Sequence, residues 1–156
     1  MANINVSSPS NFATLMISTA SSFSTSTALT VPALQDITVN NNNGSFRWKQ
    51  LDSTSQRVVA TPSTNSVGFN IVLDPDTFYG SGTGISAANK GLFNLSNDKT
   101  VLSFRMYWNG TGTGAKYVEG TGFIVGLAPK VNPDQPVWIS PLTIEVDGSF
   151  TQGTVA

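Results

Sequence analysis

From residue 31 onward, apolar side chains recur at every second position in short runs, the period of a strand with one face buried. Val67, Phe69, Ile71 and Leu73 form one such run. Leu102, Phe104, Met106 and Trp108 form another, and Trp138, Ser140, Leu142, Ile144 and Val146 a third. A strand over residues 116–128 contains Phe123, Val125 and Leu127. Leu34 to Val39 alternates weakly, and Phe46-Arg47-Trp48-Lys49 alternates apolar with basic. Turn formers stand between the runs: Asn40-Asn41-Asn42-Asn43-Gly44, Asp74-Pro75-Asp76, Gly80 to Gly84 and Asn109 to Gly114. Asn and Gly tolerate positive φ and Pro cannot donate to a ladder, so each marks a boundary. Residues 51–65 mix Asp, Ser and Gln around Val58-Val59 and predict a long loop or protruding hairpin. Ser86 to Ser96 alone predicts a helix, weakened by Gly91. Many short strands and one short helix predict an all-β fold of two packed antiparallel sheets, a β-sandwich or barrel, with the helix at its flank.

The first 30 residues stand apart. They carry no charge and are dense in Ser and Thr, with Phe12, Leu15, Met16 and Ile17 as apolar spots. A flexible tail is one reading. The sharper one is a polar N-terminal arm, residues 1–30, that orders against a neighbouring subunit through those four side chains, ahead of a single β-domain over 31–156.

Composition narrows the function. Only 11% of the 156 residues are charged and the formal net charge is −1, while 39% are hydrophobic. About a third are Ser, Thr or Asn. The chain therefore folds, but its surface is neutral and rich in hydroxyls and amides. Such a surface neither attracts nucleic acid or anionic membrane nor repels a second copy of itself. Cysteine and histidine are both absent, which removes disulfides, thiol catalysis, thiolate zinc sites and Ser-His or Cys-His hydrolysis. No apolar run reaches the roughly 18 residues a membrane helix needs. Met1 to Asn5 carries no basic residue ahead of an apolar core, so no secretory signal is expected.

The remaining candidates for chemistry are weak. Gly110-Thr111-Gly112-Thr113-Gly114-Ala115-Lys116 resembles a phosphate loop only superficially, since Tyr117 follows the lysine and a strand follows the turn. Glu145 and Asp147 stand two apart on the last long strand, but calcium wants six or more oxygens. Trp48, Trp108, Trp138, Tyr79, Tyr107 and Tyr117 could build a sugar-stacking platform, although Trp108 and Trp138 lie in phase with aliphatic residues and read better as core. Arg47, Lys49, Arg57, Arg105 and Lys116 are scattered along the sequence and form no basic stripe. No catalytic residue, cofactor or metal is expected, and an enzyme is the least favoured class.

The order of segments resembles that of phage major tail tube proteins. Three pieces carry the likeness. The first is Val31 to Val39 with the Asn turn, Gly44-Ser45-Phe46-Arg47-Trp48 and Leu51-Asp52. The second is the strand Val67 to Asp74, then a loop and short helix before Asp98-Lys99 and the strand to Trp108. The third is Tyr117 to Pro129, then Pro136 to Gly148. The resemblance implies subunits that join their sheets into a six-fold ring. Rings stack into a hollow tube through which phage DNA leaves the particle without specific binding. It also implies a virion location after synthesis in the host cytoplasm, with partners such as tape measure and tail terminator proteins. By this resemblance the region around Asp52, Ser53, Gln56, Arg57, Thr61 and Asn65 contacts the next ring, and the N-terminal arm and residues 150–156 brace neighbours. Phosphates would adhere to a cationic wall. A polar or acidic channel face is therefore expected, with Thr143, Glu145 and Asp147 as its candidates by strand phase. Two alternatives stay open: a carbohydrate- or receptor-binding β-sandwich module, and a capsid decoration protein.

Overall fold

The alternation seen in the sequence becomes an alternation of burial. In the computed structural model, which describes residues 13–156 other than Ala33 and Asn109, β6 (Thr64–Val72) buries every second residue. The other described strands are β1 (Thr14–Ser18), β2 (Leu29–Thr30), β3 (Leu34–Asn42), β4 (Ser45–Lys49), β5 (Gln56–Ala60), β7 (Leu102–Tyr107), β8 (Lys116–Val125), β9 (Lys130–Asn132), β10 (Gln135–Val146) and β11 (Thr151–Thr154). Two helical segments, α1 (Pro75–Tyr79) and α2 (Ala87–Asn97), lie between β6 and β7.

Nine strands form one antiparallel sheet in the order β2-β1-β7-β8-β10-β6-β3, with β11 beside β8 and β9 beside β10. The second sheet is the two-stranded hairpin β4–β5. The all-β class with a short helix is as expected. The two sheets do not pack face to face, however, because every residue of β4 and β5 is exposed. The core lies on one face of the large sheet instead. Leu15, Ile17, Leu102, Phe104, Met106, Ile124, Leu142, Ile144, Val67, Phe69 and Ile71 meet there, under Phe78 of α1 and Leu92 and Leu95 of α2. Each such side chain contributes about 1.5–3 kcal/mol on burial.

Local chemistry explains the helices. Asp74 caps α1, its carboxylate accepting from the Thr77 amide at 3.1 Å and hydroxyl at 3.0 Å, and Pro75 supplies the fixed φ of a first helical position. Ser86 caps α2. Inside α2, Gly91 breaks the helical path at φ 72°, and a Cβ there would fall 2.3 Å from the Gly80 nitrogen. Only glycine lets the two helical segments approach this closely.

Three expectations are corrected. Asn40, Asn41 and Asn42 do not turn the chain; they continue β3 and pair with Ser66, Asn65 and Thr64. The N-terminal stretch does not stand apart as an arm over its described part. β1 pairs with β7 along its whole length, and Leu15 and Ile17 are fully buried in the chain's own core. Phe12 lies outside the described residues. The C-terminal residues also pair within the chain, where β11 joins β8 and the Val155 amide donates to Ala115, while β11 stays mainly exposed for the neighbour contact the resemblance implies. Finally, Trp108 and Trp138 are not core: they are 50% and 54% exposed. β7 ends at Tyr107, one residue before Trp108, and Trp138 keeps the phase of Ser140, Leu142 and Ile144 but lies at the end of the β6–β10 pair, past Ile139↔Val72.

Candidate assembly surfaces

Residues opposite one another in an antiparallel pair share a face. Three rows of outward residues therefore cross the sheet from β3 to β8. Asp36, Asn70 and Pro141 form the first, ending at β10. Thr38, Gly68, Thr143 and Val125 form the second, and Asn40, Ser66, Glu145 and Phe123 the third. These rows hold two carboxylates and no Lys or Arg. Two channel-face candidates, Thr143 and Glu145, thus stand on one surface, polar toward β3 and β6 and apolar at Pro141, Val125 and Phe123, and Asp147 is exposed just beyond the strand end. Asp36 is held across the rows by Asn70, whose side-chain nitrogen lies 2.8 and 3.0 Å from its two oxygens. Among the described residues, no three acidic side chains converge as a metal site would need.

The second surface is the β4–β5 hairpin. It continues the β3–β6 pair outward, and the Thr61 amide donating to Gly44 at 2.9 Å bridges the junction. The expected protruding hairpin is present, with Asp52 and Ser53 in its turn and Gln56 and Arg57 on β5. Thr61 is exposed at its base. Asn65 is not part of the projection: it lies in β6 at 3% exposure, and its amide nitrogen donates to the Gly148 carbonyl at 2.8 Å. Phe46 and Trp48 stack at 6.0 Å on one face of the hairpin, opposite Val59 and Arg57. Phe46 is 58% exposed and Val59 50%. The hairpin carries Arg47 and Lys49 on the other face and Arg57 beside Trp48, with Asp52 as the only acid of residues 45–60. Neither the aromatic pair nor the excess of cations on this hairpin was foreseen; the signal was the apolar-basic alternation of residues 46–49, whose two faces are both free.

The third surface, beyond the first strand, is closed. Residues between β1 and β2 fold over the outward side of β7 and β8. There the Arg105 guanidinium sits 4.5 Å from the Phe23 ring and 3.9 Å from the Tyr117 ring. Its ion pair with Glu119 closes to 2.7 Å. Burial alone would lower its pKa; hydrogen bonds to Tyr107 and Glu119, with Glu119's charge, more than offset this and hold it above the ordinary arginine value. Ser103 donates to the Ala20 carbonyl at 3.0 Å and fixes the same segment. The candidate contact residues Leu15 and Ile17 thus face inward, and only Met16, half-buried, lies on the outward side of β1.

No protein-family model matches the chain, and no curated protein matches it in sequence. Solved structures do match in fold. A chain of the tail of an empty gene transfer agent (GTA) particle, refined with C6 symmetry, superposes with a TM-score of 0.62 at 12% identity, over 90% of this chain and 96% of that one. A chain of the virion of the native gene transfer agent particle gives 0.61 at 12% identity, over 90% and 95%. The SPP1 tail tube, solved by solid-state NMR and cryo EM, gives 0.66 at 10% identity, over 92% of this chain and 78% of that one. Across nine-tenths of its length, the chain has the fold found in these phage and gene-transfer-agent tails.

Proposed function

We propose that the chain is a structural subunit of a phage-type tail tube, assembling into stacked hexameric rings around a conduit for DNA. The observation that carries this reading is the fold likeness to tail chains over nearly the whole of both partners. The chain's own physics supports it. β3 ends the sheet with a nine-residue strand whose outer edge has no partner among the described residues, and β2 at the other end pairs only two. Exposed edges of that length join other strands unless something blocks them. Joining six copies edge to edge removes them and closes a barrel. The rows containing Thr143 and Glu145, with Asp147 beside them, then line the channel. A wall without cations gives phosphates no counterion-releasing contact, so DNA passes without adhering.

The reading assigns the chain to the virion tail after synthesis in the host cytoplasm. It gives the chain no catalytic role and places tape measure and terminator proteins at the tube's interior and end. Exposed tryptophans favour the glycan-binding alternative at first sight. Trp48 and Trp138, however, stand at opposite ends of the β6–β10 pair and cannot form one stacking platform. Sedimentation velocity over a concentration series tests the proposal: species of hexamer size and larger are expected, and a monomer at every concentration contradicts it.

A further inference from the structure

Of the fourteen asparagines in the sequence, only Asn43 and Asn109 precede a glycine. That neighbour governs how readily an asparagine side chain is lost. The next residue's backbone nitrogen can attack the side-chain carbonyl through a small ring, and a side chain on the attacking residue hinders the approach. Asn109 lies outside the described residues. Asn43 stands where the backbone is least held. The β3–β6 ladder ends at Asn42, opposite Thr64, and the β4–β5 ladder begins at Ser45, opposite Ala60. Thr61-Pro62-Ser63 run across from Asn43 and Gly44, and Pro62 has no amide to donate. The Thr61 amide holds the Gly44 carbonyl at 2.9 Å, and the Asn43 side chain is exposed to water. Other asparagines are tied down. Asn40 donates to Ser66, Asn65 to the Gly148 carbonyl, Asn70 to Asp36 and Asn94 to the Lys90 carbonyl, and each precedes a residue with a side chain. Close packing also fixes the glycine, since a Cβ on residue 44 would fall against the Thr61 hydroxyl. The fold thus keeps glycine at the position that leaves Asn43 least protected.

We infer that Asn43 is a site of spontaneous modification by water at the root of the β4–β5 hairpin. The Gly44 nitrogen gives up its proton and bonds to the Asn43 side-chain carbonyl carbon, and the side-chain nitrogen leaves as ammonia with that proton. Water then opens the cyclic imide. Hydrolysis at the side-chain carbonyl gives aspartate. Hydrolysis at the main-chain carbonyl gives isoaspartate, whose backbone runs through the side chain and is longer by one methylene. Either product lowers the formal net charge of −1 by one unit. Isoaspartate also lengthens the link from β3 to β4, next to the Thr61–Gly44 hydrogen bond that seats the hairpin on the sheet. The inference rests on this junction and not on the tail-tube reading.

Peptide mapping by mass spectrometry tests it. The purified chain is kept for weeks in heavy-oxygen water at mildly acidic and mildly alkaline pH, then digested. Each conversion adds about 3 Da, the exchange of an amino group for a labelled hydroxyl. Labelled aspartate and isoaspartate are expected at residue 43 ahead of every other described asparagine. They form faster at the higher pH, because the attacking nitrogen must lose its proton. An Asn43→Gln chain, whose longer side chain closes an imide ring poorly, is expected to stay unlabelled there. No label at residue 43 overturns the inference, and a peptide of residues 38–48 run alongside then shows whether the fold or the local sequence protects the site. Labelled aspartate without isoaspartate overturns the imide route, since direct hydrolysis of the amide gives aspartate only.

Discussion

Phe104 shows how one residue serves the sheet. Fully buried in β7, it meets Phe150 edge-on at 6.3 Å and lies against Gly120 on the neighbouring strand. Truncation leaves a void that this packed sheet fills only partly. Phe104→Ala is expected to lower unfolding stability by about 3–5 kcal/mol, read from urea denaturation of the unassembled protein. Arg105 makes a different prediction. Its pKa is raised on folding, so its contribution is complete below the ordinary arginine range and is lost only as pH rises through the raised value. With no histidine or cysteine in the chain, no side chain has its ordinary pKa between about pH 6 and 8. Thermal stability of the unassembled protein is therefore expected to stay flat across that window; a transition near pH 6.5 would contradict this. Residue-level reading of the sequence worked wherever period two continued through a paired strand, as for Leu142 and Ile144. It failed at Trp108 and Trp138, which stand at strand ends where the phase continues but the covering core does not.

Among the elements, β6 and β10 were legible because each has one buried and one open face, and β7 because its outward Ser103 and Arg105 are polar although the chain covers them. β8 was found as a strand with its faces exchanged: Val118 and Ile124 are buried, while Phe123 and Val125 face outward. The β3 extension was not, since polar asparagines pair as well as apolar residues when their side chains stay in solvent. α1 went unread although Asp74-Pro75 is a helix-start signature; five residues leave no room for a helical period. β9 and β11 are three and four residues long and mainly exposed, so no burial pattern marks them. β1 was concealed by its polar surroundings, and only Leu15 and Ile17, two apart, announced it. Under the proposed function, removal of the hairpin is expected to separate folding from assembly. Its residues lie outside the core, and the β3–β6 ladder continues without it. Replacing residues 45–60 with a short turn is expected to leave the monomer's melting temperature within a few degrees of its original value and to abolish tubes in electron micrographs. Loss of the fold instead would show the hairpin to be part of the structural core.

At the scale of the molecule, the low charge has a spatial order that composition alone could not display. Three of the eight cations, Arg47, Lys49 and Arg57, stand on the hairpin and three of the nine carboxylates, Asp74, Asp76 and Asp134, at the opposite end, while the outward rows from β3 to β10 hold Asp36 and Glu145 without a Lys or Arg. A near-neutral sum thus conceals an uneven placement of charge, with a cation-free set of outward rows that the proposed function uses as the channel wall. The β class and most of the core strands could be read from periodicity, but the placement of charge depends on which strands neighbour one another, which no single run of sequence specifies. The central claim is that copies of this chain close into six-fold rings and stack into a hollow tube. Cryo-electron microscopy of the purified, concentrated protein tests it most directly. End-on averages are predicted to show six subunits around an open lumen, and side views a tube of stacked rings; a population of isolated monomers, or filaments without a lumen, would contradict it.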